Sequence, residues 1–305
     1  MKTFLIIDGN ALLHRAYHAL PDFMSKDGTH TNAVYGFITM LDKAIESFRP
    51  DSLVVCFDSK ERTKRKEMFE KYKSQRPKTD DNLISQFPIA REFLISANIP
   101  YYEKAGYEAD DLIGILAQEA EKNDYRVLIM SGDKDLMQLI TENIFVVTPV
   151  KGLGEMKYYD IAEAEKKFGV KPHLIPDLKA LAGDQSDNYK GIEGIGPKTA
   201  ASLINKFGYL ENIFENLDKV ENPKTKKLLT DFKENAIMTK KLSTIMYDAQ
   251  LEVDMEKTKY RGYNENLKEF LGKYQFNSLS TRLFKIKSEK KIVEKKVDDS
   301  QIGLF

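Results

Sequence analysis

Gly106-Tyr107-Glu108-Ala109-Asp110-Asp111 runs without a break into Leu112-Ile113-Gly114-Ile115-Leu116-Ala117-Gln118-Glu119-Ala120. Ala109, Leu112, Ile113, Leu116 and Ala120 recur at helical spacing, so the stretch predicts an amphipathic helix whose buried face fixes where its first turn points. Glu108 and Asp111 then share one face. A helix N-terminus favours negative charge, and acidic first turns commonly act as caps. Three crowded carboxylates nevertheless repel one another and raise each other's pKa unless a cation intervenes. Capping and cation binding are both open on this stretch alone; the flanking chain decides between them.

Residues 3–7 and 52–57 are short apolar β-like runs ending at Asp8 and Asp58, and residues 126–130 form a third that leads into Gly132-Asp133-Lys134-Asp135. Each strand therefore delivers an aspartate at its C-terminal edge, where open α/β sheets place ligands. Residues 11–20 and 33–48 carry helical periodicity between the first two. This alternation predicts an α/β fold with a mainly parallel central sheet flanked by helices. After residue 170 the chain reads as helical throughout, most clearly at 172–181, 197–207, 226–246 and 265–274. No internal repeat is visible.

The 305 residues, 42% hydrophobic and 31% charged, have the composition of a soluble protein of one large or two modest domains. Asp8 interrupts the opening apolar run short of a signal-peptide core, and no segment approaches membrane-spanning length, which predicts a cytoplasmic location. Cys56 is the one cysteine, so no internal disulfide forms, and its apolar surroundings predict a buried, inert thiol. His14 and His18 are i,i+4 neighbours without further zinc ligands. A formal net charge of zero at first argues against a nucleic-acid partner. Nine carboxylates follow apolar elements, however: Asp8, Asp58, Glu108, Asp110, Asp111, Asp133, Asp135, Asp184 and Asp187. With these assigned to one site, the rest of the chain holds nine more basic than acidic residues.

Hard oxygen ligands without histidine or cysteine select Mg²⁺ or Mn²⁺ over zinc. Their number suffices for two ions, the arrangement that clamps the attacking and leaving oxygens in phosphodiester hydrolysis. A structural calcium site is the alternative, but residues 133–135 lack EF-hand spacing. An aspartyl phosphotransferase would need one aspartate singled out, and none is. Residues 60–78 hold nine basic residues against three acidic ones, with Met68, Phe69 and Tyr72 interleaved. A solvated helix has this composition, and so does a single-stranded nucleic-acid contact; the position directly after Asp58 favours the second. In Gly191-Ile192-Glu193-Gly194-Ile195-Gly196-Pro197-Lys198-Thr199-Ala200, glycines permit close backbone approach and Pro197 fits the first position of a helix whose amides face an anion. Such amides contact phosphates, not base edges.

The segments IIDGN, TNAVYGF, VVCFD, YKSQRP, GYEADD, SGDKD, AGDQSDN and GIEGIGPKTA follow one another in this order, and the likeness they carry covers roughly residues 1–285. Together they resemble the 5′ nuclease domain of bacterial DNA polymerase I and the wider flap endonuclease family, in a standalone form. The resemblance implies a PIN-like α/β nuclease core over residues 1–170 with a helical arch over 60–90. A helical helix-two-turn-helix DNA-binding region over 171–286 and a flexible tail over 287–305 would follow. Asp8, Asp58, Glu108, Asp110 and Asp111 would serve a first metal, and Asp133, Asp135, Asp184 and Asp187 a second. Tyr72 would stack on a base, Lys73 and Arg76 would contact the scissile phosphate, and Arg65 would add a DNA contact. Gly194, Gly196, Lys198 and Thr199 match the family's duplex-binding turn, which often binds K⁺ through backbone carbonyls. Tyr189-Lys190 departs from the pattern, because relatives commonly have an apolar residue followed by proline there.

The resemblance implies a Mg²⁺-dependent 5′-3′ exonuclease and 5′ flap endonuclease, with Mn²⁺ able to substitute, that leaves 5′-phosphate products. Its substrates would be DNA with a 5′ flap, nick or 5′ end and RNA-DNA primer junctions, met in replication and repair by a monomer in the bacterial nucleoid, away from membranes. The terminal QIGLF resembles the bacterial sliding-clamp binding motif, with Gln301, Leu304 and Phe305 as anchors on a tether that raises local concentration. It favours a standalone protein over a fragment. The rival reading is a non-catalytic DNA-junction-binding protein that recruits partners through this tail; it leaves the nine carboxylates without a purpose. A related small-domain ribonuclease is disfavoured by chain length and by the glycine-rich turn.

Overall fold

The structure, a computed structural model, describes residues 1–151 and 155–284. Six strands, β1 (Lys2–Asp8), β2 (Ser52–Cys56), β3 (Tyr101–Tyr102), β4 (Tyr125–Met130), β5 (Ile144–Lys151) and β6 (Glu155–Tyr159), form one sheet in the order β3-β2-β1-β4-β5-β6. Every pairing is parallel except β5 with β6, so the sheet is mixed and mainly parallel. Parallel strands must be covered on both faces, which is why β1 is apolar at successive positions and buried from Phe4 to Ile7. Phe4, Ile6, Val54, Val127 and Ile129 pack on one face with the Ala109–Lys122 helix. Leu5, Ile7, Leu53, Val55, Leu128 and Met130 pack on the other with the helices Gly9–Ala19, Asn32–Phe48 and Gln86–Ser96.

The strand order reverses between β1 and β4, and ligand crevices open beyond the carboxyl ends of strands at such a switch point. Asp8 closes β1 there, Asp58 follows β2, and Ser131 and Asp133 follow β4. Cys56 is buried in β2, as its apolar setting predicts. Among the described residues, no helix is long and apolar enough to cross a membrane.

The second half departs from the continuous helical reading. Residues 172–181 divide into a 3-10 turn, Pro172–Leu174, and the helix Ile175–Ala182, while Pro197–Phe207 forms as expected. The long periodic stretch at 226–246 breaks at Phe232, whose backbone leaves the helical region between Pro223–Asp231 and Lys233–Ser243. Beyond it the chain returns to the sheet: Leu53 N–H donates to Thr258 O at 2.8 Å and Tyr260 N–H to Asp51 O at 2.9 Å. Leu267, Phe270, Leu271 and Leu279, from the helices Leu267–Lys273 and Asn277–Leu283, then enter the same core as Leu5 and Ile7. The last two helices therefore join the core on this face of the sheet.

Gly183 and Gly191 pinch the chain around residues 184–189. A Cβ on Gly191 would lie 2.2 Å from Gly183 N and 2.4 Å from Leu181 O, so only glycine allows this approach. Within the pinch, Asp184 and Tyr189 exchange backbone hydrogen bonds of 3.0 and 3.2 Å. Two expected site carboxylates, Asp184 and Asp187, are thereby held on one tight loop. The expected clamp anchors Gln301, Leu304 and Phe305 lie outside the described residues.

Candidate metal and nucleic-acid site

The Ala109–Lys122 helix points its first turn at the switch point, and its Ala109 N–H donates to Asp58 Oδ1 at 2.8 Å. Asn10 braces the same carboxylate, donating to Asp58 Oδ2 at 2.9 Å and accepting from Asp58 N–H at 3.1 Å. Asp8 accepts from Ala11 N–H at 2.9 Å and from Ser131 Oγ at 2.6 Å. Burial, the largest effect, pushes Asp8 up to about 7 against these two hydrogen bonds, and the charges of Asp58 and Asp133 add to the rise. Asp110 is raised well above the carboxylate range by burial and by the charges of Asp133 and Asp8, and Asp58 is raised chiefly by burial. Asp8, Asp58 and Asp110 thus form one desolvated group, and the charge of the half-buried Asp133 acts on Asp8 and Asp110.

Asp135 and Asp184 form a second group around Lys179. The Lys179 ammonium bonds both carboxylates, at 2.5 Å for Asp184 Oδ2. Burial lifts Asp135 to about 6 although Lys179 opposes the rise. At Asp184 burial acts upward too, but Lys179 and the hydrogen bonds from Ser186 outweigh it and hold the group below its ordinary value. Arg76 bonds Asp187 at 2.6 Å, and Lys73 bonds Glu108 at 2.9 Å.

The donor set fits a hard divalent cation: it consists of desolvated carboxylate oxygens, and the Lys179 ammonium already stands between two of them as a cation would. Among the described residues, no three His, Cys, Asp or Glu side chains converge tightly enough to enclose an ion as they are oriented. Loading would therefore require carboxylates to turn from their present partners.

An open groove of about 770 Å³ runs from Asp184 past Tyr189 to Gly194 and Gly196, with Gln75 also lining it. Gly194 adopts the left-handed region at φ 92°, Gly196 caps the Pro197–Phe207 helix, and open space lies beside Gly196. Lys198 and Thr199 are exposed in that helix's first turn. The glycine-rich turn and Asp184 of the second carboxylate group therefore line one surface.

A family model described as the 5′-3′ exonuclease N-terminal resolvase-like domain matches residues 3–169, and the 5′-3′ exonuclease C-terminal SAM fold matches residues 170–266. The chain belongs to the 5′-3′ exonuclease family. It is 40% identical to the 5′-3′ exonuclease of Aquifex aeolicus over 94% of this chain and 96% of that protein. It is 42% identical to DNA polymerase I of Bacillus subtilis over 92% of this chain, but spans only 32% of that relative. The T5 5′-exonuclease bound to zinc shares the fold with a TM-score of 0.68 at 20% identity, covering 90% of this chain and 99% of the other. The bacteriophage T5 D15 flap endonuclease, in a pseudo-enzyme-product complex with DNA and metal ions, aligns with a TM-score of 0.65 at 22% identity over 79% and 89% of the two chains.

Within this exonuclease-family framework, three expected positions differ in orientation from the sequence reading. Asp111 is fully buried and faces Arg65 in a bidentate pair, at 2.8 and 2.7 Å, away from the Asp110 group. Arg65 is consequently internal: it also donates to Leu242 O and Thr244 O at 2.8 and 2.9 Å, which leaves it no face for DNA in this arrangement. Tyr72 presents no open ring for a base. It is buried and stacked on Tyr189, with centroids 6.5 Å apart and planes 8° apart, and its hydroxyl points at Glu108 and Asp187. Adjacent helical residues point in different directions, which separates Asp110 from Asp111. Lys179, Asn10 and Ser131 join the site although the sequence reading above does not include them. Asn10 and Ser131 sit inside IIDGN and SGDKD and were within reach of the motif, whereas Lys179 gives no signal beyond a basic residue in an apolar helix.

Arg65→Met should destabilise the fold by about 3–5 kcal/mol in urea unfolding, because it leaves Asp111 charged, buried and unpaired. Arg65→Met with Asp111→Leu should recover part of that loss; no recovery would show that the pair is not the source. A second expectation concerns pH. Asp8 and Asp135 hold protons more tightly in the fold than at their ordinary 3.8, so their stabilising contribution is complete below about pH 4 and is lost as pH rises to about 7. Chelator-treated protein should lose unfolding free energy across this window, and Mg²⁺ should restore most at its upper end. A profile that rises from pH 4 to 7 without metal would contradict the crowded-carboxylate account.

Proposed function

We propose that the chain is a Mg²⁺-dependent 5′-3′ exonuclease and 5′ flap endonuclease, with Mn²⁺ able to substitute. It would hydrolyse phosphodiester bonds of DNA and RNA primers at flaps, nicks and 5′ ends during replication and repair, as a cytoplasmic monomer on nucleoid DNA. One observation carries this reading: Asp8, Asp58, Asp110 and Asp133 gather at the sheet's switch point, faced by Lys73 and Arg76 from the basic segment. Relatives along nearly the whole chain support it.

Asp8, Asp58, Glu108 and Asp110 would hold one ion and Asp135, Asp184 and Asp187 another; Asp133, expected at the second ion, acts on Asp8 and Asp110 as well as on Asp135 and would serve between the two. A divalent pair there would supply Lewis acidity and a more acidic attacking water. Lys73 and Arg76 would exchange Glu108 and Asp187 for the oxygens of the scissile phosphate, as charge-assisted donors that orient it. The amides before Lys198 and Thr199 would meet duplex phosphates, and carbonyls of the turn at Gly194 and Gly196 would suit K⁺. Such contacts read shape, so selectivity would come from a junction's ease of bending.

The recruiting-only alternative assigns no role to the carboxylate groups and finds no support in the family to which the chain belongs. A labelled 5′-flap duplex should be cut at the junction with Mg²⁺, remain intact in EDTA, and remain intact with Asp133→Ala/Asp135→Ala. Binding without metal-dependent cleavage would overturn the nuclease reading. In the same reading Gln301, Leu304 and Phe305 dock on a bacterial sliding clamp. Leu304→Ala/Phe305→Ala should abolish clamp pull-down, and equal capture by that variant would remove the tail from the account.

A further inference from the structure

Tyr189 is buried to 4% exposure, and its hydroxyl has no hydrogen-bond partner. A buried hydroxyl without a partner costs free energy, so its presence calls for a use that the present arrangement does not fill. Its surroundings indicate the use. The ring stacks on Tyr72, whose hydroxyl reaches Glu108 and Asp187, and the backbone of Tyr189 is hydrogen-bonded to that of Asp184. Tyr189 shares the loop pinched by Gly183 and Gly191 with Asp184 and Asp187, and a phenol hydroxyl can donate to such carboxylates. Asp135 and Asp184 are meanwhile occupied by Lys179, and Asp187 by Arg76.

We propose that Tyr189 is a positioning residue of the second carboxylate group: its hydroxyl donates to one of Asp135, Asp184 or Asp187 when these turn from Lys179 and Arg76 to a divalent cation. The unpartnered hydroxyl is then a donor held in reserve for the loaded site. The inference rests on the two-ion reading above. Groups that hydrogen-bond metal-ligating carboxylates fix their orientation, and their loss typically costs 10-fold or more in metal affinity. Tyr189 touches no reacting atom in this scheme; it acts through the carboxylates.

Tyr189→Phe tests this directly, since it removes the hydroxyl and keeps the ring stacked on Tyr72. Without metal the variant should melt at or above the parent's temperature, because no formed hydrogen bond is lost. In Mn²⁺ calorimetry of the full chain, one of the bound ions should weaken about 10-fold. The Mg²⁺ concentration that half-saturates flap cleavage should rise correspondingly, with the parent's maximal rate recovered at saturating Mg²⁺. Unchanged Mn²⁺ affinity in Tyr189→Phe beside a parent that binds two ions would overturn the proposal and leave the nuclease reading standing. A metal-free variant that melts lower than the parent with unchanged Mn²⁺ affinity would assign the hydroxyl a structural role and overturn it equally. A parent that binds no Mn²⁺ would instead remove the two-ion reading itself, and the proposal with it.

Discussion

Crowding of buried carboxylates at one sheet edge is the constraint on which the rest of the structure depends. Asp8, Asp58 and Asp110 are pushed upward by burial, and the neighbouring charges that also reach them are mostly negative. Such a cluster persists only if positive charge is brought to its margin. Lys73 and Arg76 from the basic segment after β2 supply it here, Arg65 from the same segment does so for Asp111, and Lys179 from the Ile175–Ala182 helix for Asp135 and Asp184. Neutralisation therefore ties distant stretches of chain to the same edge, and it explains why the basic segment folds down over the sheet when its composition alone would let it remain in water.

The four cations are not equivalent. Arg65 is enclosed by Asp111 and by two backbone carbonyls, with 4% of its side chain exposed, so its bonds join elements of the fold. Arg76 leaves 48% and Lys73 24% of the side chain open while their carboxylate partners are 7% and 8% exposed. These two can change partners without dismantling the core. Burial thereby separates one enclosed base from two that stand partly open to solvent, a distinction that the shared richness of residues 60–78 in lysine and arginine conceals.

Elements that draw their order from local pattern were legible in the sequence. The apolar runs that end at Asp8 and Asp58 became β1 and β2 because a parallel strand covered on both faces writes its burial into consecutive residues. The helix after Glu108 was legible from its buried stripe. What could not be read depends on contacts between distant residues. The pairing of Arg65 with Asp111 and the stacking of Tyr72 on Tyr189 each need the assembled fold. Lys179 lies in an otherwise apolar helix and is recognisable only by the two carboxylates it bridges. The return of residues 244–284 to the first core was hidden for a similar reason: residues 247–264 have no periodicity, and backbone bonds to Asp51 and Leu53 direct them.

The neutral formal charge is compatible with a polyanionic partner once charges are assigned by location. Nine carboxylates gather at the sheet edge, and Arg65, Lys73, Arg76 and Lys179 are engaged with them there, so the rest of the chain holds 43 basic against 38 acidic residues, an excess of five. In the proposed nuclease the same bases would neutralise carboxylates before loading and phosphates afterwards. Each cation that settles among the carboxylates would then release positive charge toward the substrate, and each phosphate that captures Lys73 or Arg76 would return a carboxylate to the cation. Because binding free energies are reciprocal, metal and nucleic acid would strengthen one another to the same extent. Such a site would acquire cooperativity between ion and substrate with no moving domain, through exchange of partners among Glu108, Asp187, Lys73 and Arg76.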